Sequence, residues 1–411
     1  MSHDRREAGF KRRTRVAEAL ATLLDEVDPH GRAESVPLAR ADGRVVAEPI
    51  DAPAPVPSYD RAAMDGYAVR AEDTFGASGR APAVLRRVDD EPPADASVGP
   101  NEALQVHTGS ALPDGADAVV MVEHTEAVGD ELEVFDAVPS GENVAPVGED
   151  VEAGQPLFPA GHRLRPSDLG LLKSTGLTDV AVREHPTVGV IPTGEELVQA
   201  DPGPGEVLET NGMTVAQLVA RWGGDPAYRT VVTDDEDALC EAIERDLGRD
   251  LVVTTGGSSV GERDLLPDVV ASMGEVAFHG VALRPGHPVA AGVVEGTPVV
   301  MLPGYPVSTL VNAVQLLRPA VKWAGGMPLA DHPAVEARLD RKLRSEPGVR
   351  TFARVRLEDG DDERVAVPTW ASGAGVLSSV ALADGWVVVP ESREGVPAGE
   401  TVPVEDWEWS A

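Results

Sequence analysis

The chain has 411 residues and a formal net charge of −34, and these two values exclude several classes of protein. The length exceeds what one hydrophobic core usually organises, so we expect roughly two to four domains. The 69 acidic residues are spread along the whole chain, which argues against binding to nucleic acid or anionic membranes and favours a halophilic protein over an acidic mesophilic one.

The first part of the chain predicts a helix, then short strands, then a second helix. Apolar residues recur at helical spacing over residues 14–27, and Pro29 ends this pattern. Short apolar runs broken by Gly, Pro and Asp follow, as is typical of a small β-rich domain. The triplet Pro166–Ser167–Asp168 then predicts the start of another helix.

From about residue 186 the pattern changes to alternating strands and helices. Strands are predicted at "TVGVIP", "AYRTVVT", "LVVTT" and "TPVVMLP", and a long helix at "PVSTLVNAVQLLRPAVKWA". The helix "TNGMTVAQLVARWG" is expected to be capped by Thr210 or Asn211. Such alternation predicts a parallel sheet flanked by helices, with ligands at the carboxyl ends of its strands.

We therefore predict an α/β plus β, multidomain fold. The expected domains are a discontinuous α+β linker domain (1–55 and 142–185), a small β-rich domain (56–141), a central parallel-sheet α/β domain (186–328) and a C-terminal β-domain (329–411).

The stretch "LVVTTGGSSVGERD" indicates a loop that binds an anion without formal charge. Gly256 and Gly257 allow a sharp turn and a close approach of the backbone to a ligand, and Ser258 adds a hydroxyl donor. Peptide N–H groups are sufficient for such a site in an acidic protein. A plain strand-to-helix turn remains the alternative, because glycine-rich loops are weak signals.

Carboxylates follow three of the predicted loops at the same edge. Glu195 and Glu196 follow one strand, Asp234 and Asp235 follow another, and Asp264 follows the glycine loop. Neighbouring carboxylates repel unless a cation joins them, and Mg²⁺ prefers oxygen ligands and bridges to phosphate. The pattern predicts a divalent cation shared with an anionic substrate, with helix N-capping as the alternative for each residue.

Two proline-stiffened glycine turns, "RPGHPVAAG" and "LPGYPVS", add candidates for holding an oxyanion. Arg284 has the fork of donors that suits oxyanions, and His287 adds positive charge only when it is protonated. Ser308 lies beside the second turn. The alternative is that both loops matter only for packing. No Ser–His–Asp arrangement supports nucleophilic catalysis.

These motifs together resemble the MoeA family of molybdopterin molybdenumtransferases, which includes the E domain of gephyrin. "AMDGYAV", "TGSALPDGADAVV", "GED", "PTGEEL", "TTGGSSVGERD", "PGHPVAAG" and "LPGYPVS" occur in the family's order, from about Phe10 to Trp407. The resemblance implies that the central domain has the fold of molybdopterin adenylyltransferase, MogA.

The resemblance also implies a reaction and its partners. Family members take adenylylated molybdopterin and molybdate, place the metal on the dithiolene and release AMP with the help of a divalent cation such as Mg²⁺. For this chain we expect molybdate or tungstate as substrate, a cytoplasmic homodimer, and contact with molybdopterin adenylyltransferase. The alternatives are a non-catalytic molybdopterin-binding scaffold and the adenylyltransferase itself.

The family's functional residues fall on positions throughout the chain. Those implied to be catalytic are Asp65, Glu196, Asp234 and Asp264, of which the last three are also the implied metal ligands. Those implied to bind substrate are Thr108, Asp150, Thr193, Gly194, Gly256, Gly257, Ser258, Arg284, His287, Pro303, Gly304, Ser308 and Arg354.

The sequence departs from the family pattern at the implied oxyanion site. His287 stands where many members have lysine, Tyr305 stands where asparagine is frequent, and Ala374 replaces a serine. A permanent cation is thereby exchanged for a titratable group.

Overall fold

A computed structural model describes residues 13–88, 97–256, 265–360, 363–369 and 375–409. They fall into two compact units, a larger one of residues up to 34, 43–45 and from 182 onward, and a smaller one of residues 35–42 and 46–181. The four-domain division expected from the sequence is finer than this and stays a prediction. In the described residues, no helix is long and apolar enough to cross a membrane.

The described residues contain eight α-helices. They are α1 Val16–Asp25, α2 Pro166–Ser174, α3 Asn211–Arg221, α4 Glu236–Glu244, α5 Leu266–Met273, α6 Pro306–Asn312, α7 Arg318–Ala324 and α8 Ser378–Ala381. Short 3₁₀ turns occupy Leu38–Arg40, Ala71–Thr74 and Val122–His124. The predicted start of α2 is confirmed, since the carboxylate of Asp168 accepts a hydrogen bond from the backbone N–H of Arg165 at 2.9 Å.

The smaller unit is built on a six-stranded sheet with the order β7-β4-β6-β5-β9-β8. Its core includes Tyr67, Leu85 and Leu132. Up to the end of this unit the strands are β1 Ala33–Pro37, β2 Ile50–Asp51, β3 Arg61–Ala62, β4 Gly66–Val69, β5 Ala83–Arg87, β6 Glu102–Val106, β7 Ala118–Met121, β8 Thr125–Val128, β9 Glu131–Val134, β10 Val144–Ala145, β11 Pro156–Phe158 and β12 Asp179–Arg183.

The larger unit contains the predicted α/β sheet, with the order β16-β13-β17-β21-β20-β18. Its central strands are almost entirely buried because helices cover both faces, which explains their continuous apolar runs. The strands of this region are β13 Thr187–Pro192, β14 Leu197–Val198, β15 Val207–Leu208, β16 Asp225–Tyr228, β17 Leu251–Thr255, β18 Glu275–His279, β19 Leu283–Arg284, β20 Ala290–Val294 and β21 Thr297–Leu302.

The prediction of a parallel sheet is wrong for one strand, β20, since β18 runs in the same direction as β21. Strands β16, β13, β17 and β21 are parallel, but β20 pairs antiparallel with both β21 and β18. The cause is the two-residue turn between β20 and β21, in which Glu295 and Gly296 have φ angles of 50° and 84°. Such a turn forms a hairpin, and a hairpin joins only antiparallel strands.

The long helix predicted after β21 is interrupted. Helices α6 and α7 are joined by a π-helical segment, Ala313–Leu317. Pro319 lies in the first turn of α7 and has no N–H to donate to the preceding turn. A wider turn before a proline accommodates the missing hydrogen bond.

The C-terminal part of the larger unit is a second six-stranded sheet, ordered β19-β24-β25-β22-β28-β26. An additional pairing of β24 with β26 closes the sheet on itself. Inside the unit Phe352 packs edge to face against Trp386, with ring centroids 5.0 Å apart, and Trp386 stacks on Trp407 at 5.4 Å. The α/β plus β class is thus confirmed. The remaining strands are β22 Ala334–Leu339, β23 Leu343–Arg344, β24 Arg350–Asp359, β25 Arg364–Pro368, β26 Gly385–Val389, β27 Gly395–Val396 and β28 Thr401–Glu405.

Candidate active site

Three candidate loops lie side by side at the carboxyl edge of the α/β sheet. Pro192 pairs with Thr255, and Thr255 pairs with Leu302, at the last positions of three parallel strands. The residues that follow these strands therefore meet at one edge. They are the predicted substrate-binding residues Thr193 and Gly194, Gly256, and Pro303 and Gly304.

Glycine is required at position 256, where these loops touch. Gly256 has a φ of +112°, and a Cβ atom there would lie 2.1 Å from the carbonyl oxygen of Thr193. A Cβ atom on Gly304 would lie 3.5 Å from the Cα atom of Gly256. The three loops therefore pack closely, and the N–H groups of Thr193 and Gly256 donate to the neighbouring strands, to the carbonyls of Thr255 and Leu302.

The carboxylates Glu195, Glu196 and Asp234 form one cluster beside these loops. The strand predicted just before Asp234 ends earlier than expected, at Tyr228. The chain nevertheless stays next to β13 through a parallel bridge between Thr193 and Val232. Burial, followed by the charges of Glu196 and Glu195, raises the pKa of Asp234, while a hydrogen bond from the backbone N–H of Glu195 lowers it. Burial is the main cause of this rise, and the two neighbouring carboxylates add to it because they repel the ionised form of Asp234.

The oxygen chemistry of this cluster fits a hard divalent cation such as Mg²⁺. Among the described residues, however, no group of three or more His, Cys, Asp or Glu side chains is arranged to hold a metal ion. Of the three predicted ligands, Glu196 and Asp234 lie in this cluster. The third, Asp264, lies outside the described residues, as do Gly257 and Ser258.

The "RPGHP" loop reaches the same edge of the sheet. Ala290 pairs with Met301 in the antiparallel hairpin, so the residues just before Ala290 lie beside those that follow β21. Arg284 is largely exposed, and its guanidinium is 2.9 Å from a carboxylate oxygen of Glu346. Burial, then Arg13 and Arg284, lowers the pKa of His287, so this imidazole is neutral at pH 7.

This loop therefore carries less positive charge than its sequence indicates. Arg284 is already paired and His287 is uncharged at neutral pH. Ser308 is only 3% exposed within α6.

Three predicted site residues, Asp65, Thr108 and Asp150, lie in the smaller unit. Asp65 Oδ1 accepts hydrogen bonds from the backbone N–H of Thr108 at 2.7 Å and from its hydroxyl at 2.9 Å. The backbone bond, followed by the hydroxyl bond, lowers the pKa of Asp65, so its side chain is an anion at neutral pH. Asp150 is exposed, and its backbone N–H donates to the carbonyl of Val56.

Arg354 lies elsewhere in the larger unit, on β24 of the closed C-terminal sheet. It pairs with Trp386 of β26, and burial lowers the pKa of its guanidinium.

Sequence reasoning missed three polar residues that contact the candidate loops. Asn211 donates to the carbonyl oxygen of Gly304 at 2.7 Å. Thr309 donates to the carbonyl of Pro303, and Asn312 to that of Gly286 at 2.9 Å. For Thr309 and Asn312 the available signal was a polar residue at a buried position of a largely apolar helix, which a search for ligand-binding types does not select.

Three family models match the chain along its length. They are the MoeA N-terminal region (domain I and II) at residues 14–176, a probable molybdopterin binding domain at residues 189–323 and the MoeA C-terminal region (domain IV) at residues 336–407. The second match contains the sheet edge that carries Glu196, Asp234 and Gly256.

Relatives match over nearly the whole chain. Molybdopterin molybdenumtransferase 2 of Mycobacterium tuberculosis is 35% identical over 386 residues, covering 90% of this chain and 94% of the relative. Molybdopterin molybdenumtransferase of Bacillus subtilis is 30% identical over 403 residues, covering 92% and 93%. A crystal structure of the molybdopterin biosynthesis MoeA protein from a Pyrococcus species superposes with a TM-score of 0.83 at 36% identity, covering 96% of this chain and 99% of that one.

The fold is that of a multidomain α/β protein whose central sheet lies in a region matched by a probable molybdopterin binding domain. The chain belongs to the MoeA family.

Proposed function

We propose that this protein is a molybdopterin molybdenumtransferase. It places molybdate or tungstate on the dithiolene of adenylylated molybdopterin and releases AMP, as a step in molybdenum cofactor biosynthesis. The observation that carries the proposal is the likeness over 90% of the chain to a relative of that name. The cluster of Glu196 and Asp234 beside glycine-lined loops supports it, because such an edge suits an anionic substrate together with a cation.

The proposed chemistry depends on positioning two anions in an acidic protein. The loop at Gly304 offers peptide donors to a phosphate or oxyanion, because the N–H groups of Gly304 and Tyr305 donate to no acceptor among the described residues. Glu196, Asp234 and Asp264 would hold the divalent cation, which when bound neutralises phosphate charge. These residues orient the reactants and lower the repulsion between them, and no nucleophile on the chain is needed.

Asp65, Thr108 and Asp150 of the smaller unit are the other residues that we propose for catalysis or substrate binding. The hydrogen bonds from Thr108 keep Asp65 ionised and fix its orientation. We propose a cytoplasmic homodimer in which Asp65 acts on the site of the other subunit. Arg354 would contact substrate from the C-terminal sheet. Transfer of adenylylated molybdopterin from its adenylyltransferase would occur by direct contact.

The proposed function is tested by turnover in concentrated KCl. The protein is incubated with adenylylated molybdopterin, MgCl₂ and either molybdate or tungstate, and both AMP and metal-loaded cofactor are measured. AMP release that depends on the oxyanion supports the transferase. Tight binding of the pterin without AMP release would instead favour a scaffold, and consumption of ATP would favour an adenylyltransferase.

Exchanging Asp234 for Asn is expected to lower kcat/KM by about 100-fold or more, because the substitution removes a charge from the proposed cation site. The unfolding free energy should stay equal or rise, since Asp234 is repelled by Glu196 and Glu195. The matched control is Asp235→Asn. Asp235 caps α4 by accepting from the backbone N–H of Ala238 at 3.0 Å, and asparagine caps equally well. Equal losses in both variants would contradict the assignment.

A further inference from the structure

Helix α6 holds both proline–glycine loops through side chains on consecutive turns. The hydroxyl of Thr309 makes its shorter contact with the carbonyl of Pro303 in the "LPGYP" loop, and it also lies 3.0 Å from the carbonyl oxygen of Tyr305 in the same loop. The side-chain amide of Asn312 donates to the carbonyl of Gly286 in the "RPGHP" loop at 2.9 Å. Thr309 is 1% exposed and Asn312 is fully buried. One rigid element therefore sets the position of both loops.

The chemistry of its partners fixes the orientation of the Asn312 amide. Its nitrogen lies 2.9 Å from the carbonyl oxygen of Gly286 and 2.8 Å from that of Ser308. Both partners are acceptors, so the NH₂ group and not the oxygen faces them. Its Oδ1 is buried without a hydrogen-bond partner in the described part of the chain. A buried unsatisfied oxygen destabilises the fold, so stability alone does not account for an asparagine here.

The "RPGHP" loop is fitted closely to this side chain. Gly286 has a φ of +110°, and a Cβ atom there would lie 2.2 Å from the side-chain nitrogen of Asn312. Only glycine allows the backbone to approach the amide so closely.

Anchoring a carbonyl also fixes the N–H group of the same peptide. In a trans peptide the C=O and N–H bonds point in opposite directions. The cis peptides of the described chain are Val56–Pro57 and Arg284–Pro285, so the three anchored peptides are trans. The N–H groups of His287 and Gly304 therefore point away from their anchors on α6. The N–H of Tyr305 points away from Asn211, which holds the carbonyl of Gly304.

These N–H groups are available to a ligand. In the residues that the structure describes, none of the three donates to an acceptor. Gly304 and Tyr305 are exposed and His287 is half-buried. A peptide N–H needs an acceptor, and an oxyanion supplies several.

We propose that Thr309 and Asn312 are positioning residues for the oxyanion substrate: they hold two loops by their carbonyl groups so that the opposite N–H groups face molybdate or tungstate. This inference rests on the proposed function. It accounts for the weak formal charge of the site, where Arg284 is paired with Glu346. Peptide dipoles, oriented by buried side chains, bind the anion in place of a permanent cation.

The test compares Thr309→Val, which keeps the shape and removes the donor, with Thr309→Ser, which keeps the donor. Thr254→Val is the matched control, because the Thr254 hydroxyl is buried in β17 without a hydrogen-bond partner in the described residues. Asn312→Leu likewise removes the hydrogen-bond donor to the "RPGHP" loop. The Kd of molybdate is measured by equilibrium dialysis, together with KM for each substrate and the melting temperature.

Thr309→Val is expected to weaken molybdate binding and raise KM for molybdate by about three- to tenfold, while KM for adenylylated molybdopterin is unchanged. Thr309→Ser and Thr254→Val should bind like the unaltered protein. Unchanged molybdate binding in Thr309→Val, or equal weakening in Thr254→Val, would overturn the inference. A third outcome separates the two proposals. If Thr309→Val weakens molybdate binding but the unaltered protein releases no AMP, the transferase function is overturned and the positioning role is not.

Discussion

His332 is held next to a buried cation in the larger unit. Its Nε2 atom lies 3.4 Å from the guanidinium of Arg318, which is 4% exposed and donates to the carbonyl of Ala330 at 2.7 Å. Burial and then the charge of Arg318 lower the pKa of His332 to about 4, although Asp406 and Asp331 act in the opposite direction. Protonation would place two positive charges side by side.

The stability of this region should therefore fall as the pH decreases from about 6.5 towards 4. In this window the unfolded state binds a proton at His332 and the folded state does not, so His332 contributes stability above its unfolded pKa that is lost on acidification. The contribution lost by pH 5 is at most about 2 kcal/mol. The unfolding free energy is measured by chemical denaturation at several pH values for the native protein and for His332→Gln. The difference between the two proteins gives the contribution of His332. Identical slopes in both proteins would contradict the prediction.

The start of α3 shows why a residue's role depends on distant contacts. Its sequence predicts a cap by Thr210 or Asn211, but the Thr210 side chain makes no capping bond. The carboxylate of Glu209 accepts from the N–H of Gly212 instead. The side chain of Asn211 donates instead to the carbonyl of Gly304, a residue far away along the chain. The local sequence pattern therefore predicted the start of the helix correctly but assigned the capping hydrogen bond to the wrong side chains.

At the scale of elements, the site depends on three parallel strands that end in register. Gly256 is the point at which their loops touch, with a positive φ and the carbonyl of Thr193 directly against its Cα. The residue types at this edge could be predicted because strand and loop alternation is visible in the sequence. The hairpin that turns β20 antiparallel was missed, because its turn, Glu295–Gly296, lacks the commoner Asn-Gly or Asp-Gly signal.

Gly256→Ala is expected to destabilise the protein by about 2–4 kcal/mol and to reduce turnover more than tenfold. The added Cβ atom would meet a carbonyl oxygen at 2.1 Å and the backbone would be strained at a φ of +112°. Gly248→Ala serves as control, since no atom lies within 4 Å of the position that its added methyl group would occupy and its φ is ordinary. Denaturation and kcat/KM are measured for both variants, and tolerance of alanine at Gly256 would refute the close packing.

For the whole molecule, the excess of negative charge is the dominant property. A formal net charge of −34 destabilises any compact state through self-repulsion unless counterions screen it. The buried ion pairs do not relieve this excess. They are local, as where Arg229 and Arg249 bind the buried carboxylate of Asp246.

The melting temperature should consequently rise between about 0.1 M and about 2 M KCl, as the screening length shortens. A nonelectrolyte at equal osmolality controls for general effects of the solvent, and should stabilise the protein less. A melting temperature that is constant or falls in KCl would contradict the expectation of a halophilic protein.

The sequence by itself determined the fold class, the family and the residue types of the candidate site. These follow from hydrophobic periodicity and from the order of motifs along the chain, and both can be recognised without a three-dimensional structure. Tertiary structure alone decided which groups interact. Burial and the charge of Glu196 raise the pKa of Asp234. Arg284 forms an ion pair with Glu346. Helix α6 contacts two loops through hydrogen bonds from Thr309 and Asn312. Such effects arise from distances between residues far apart in the chain, which no local pattern encodes.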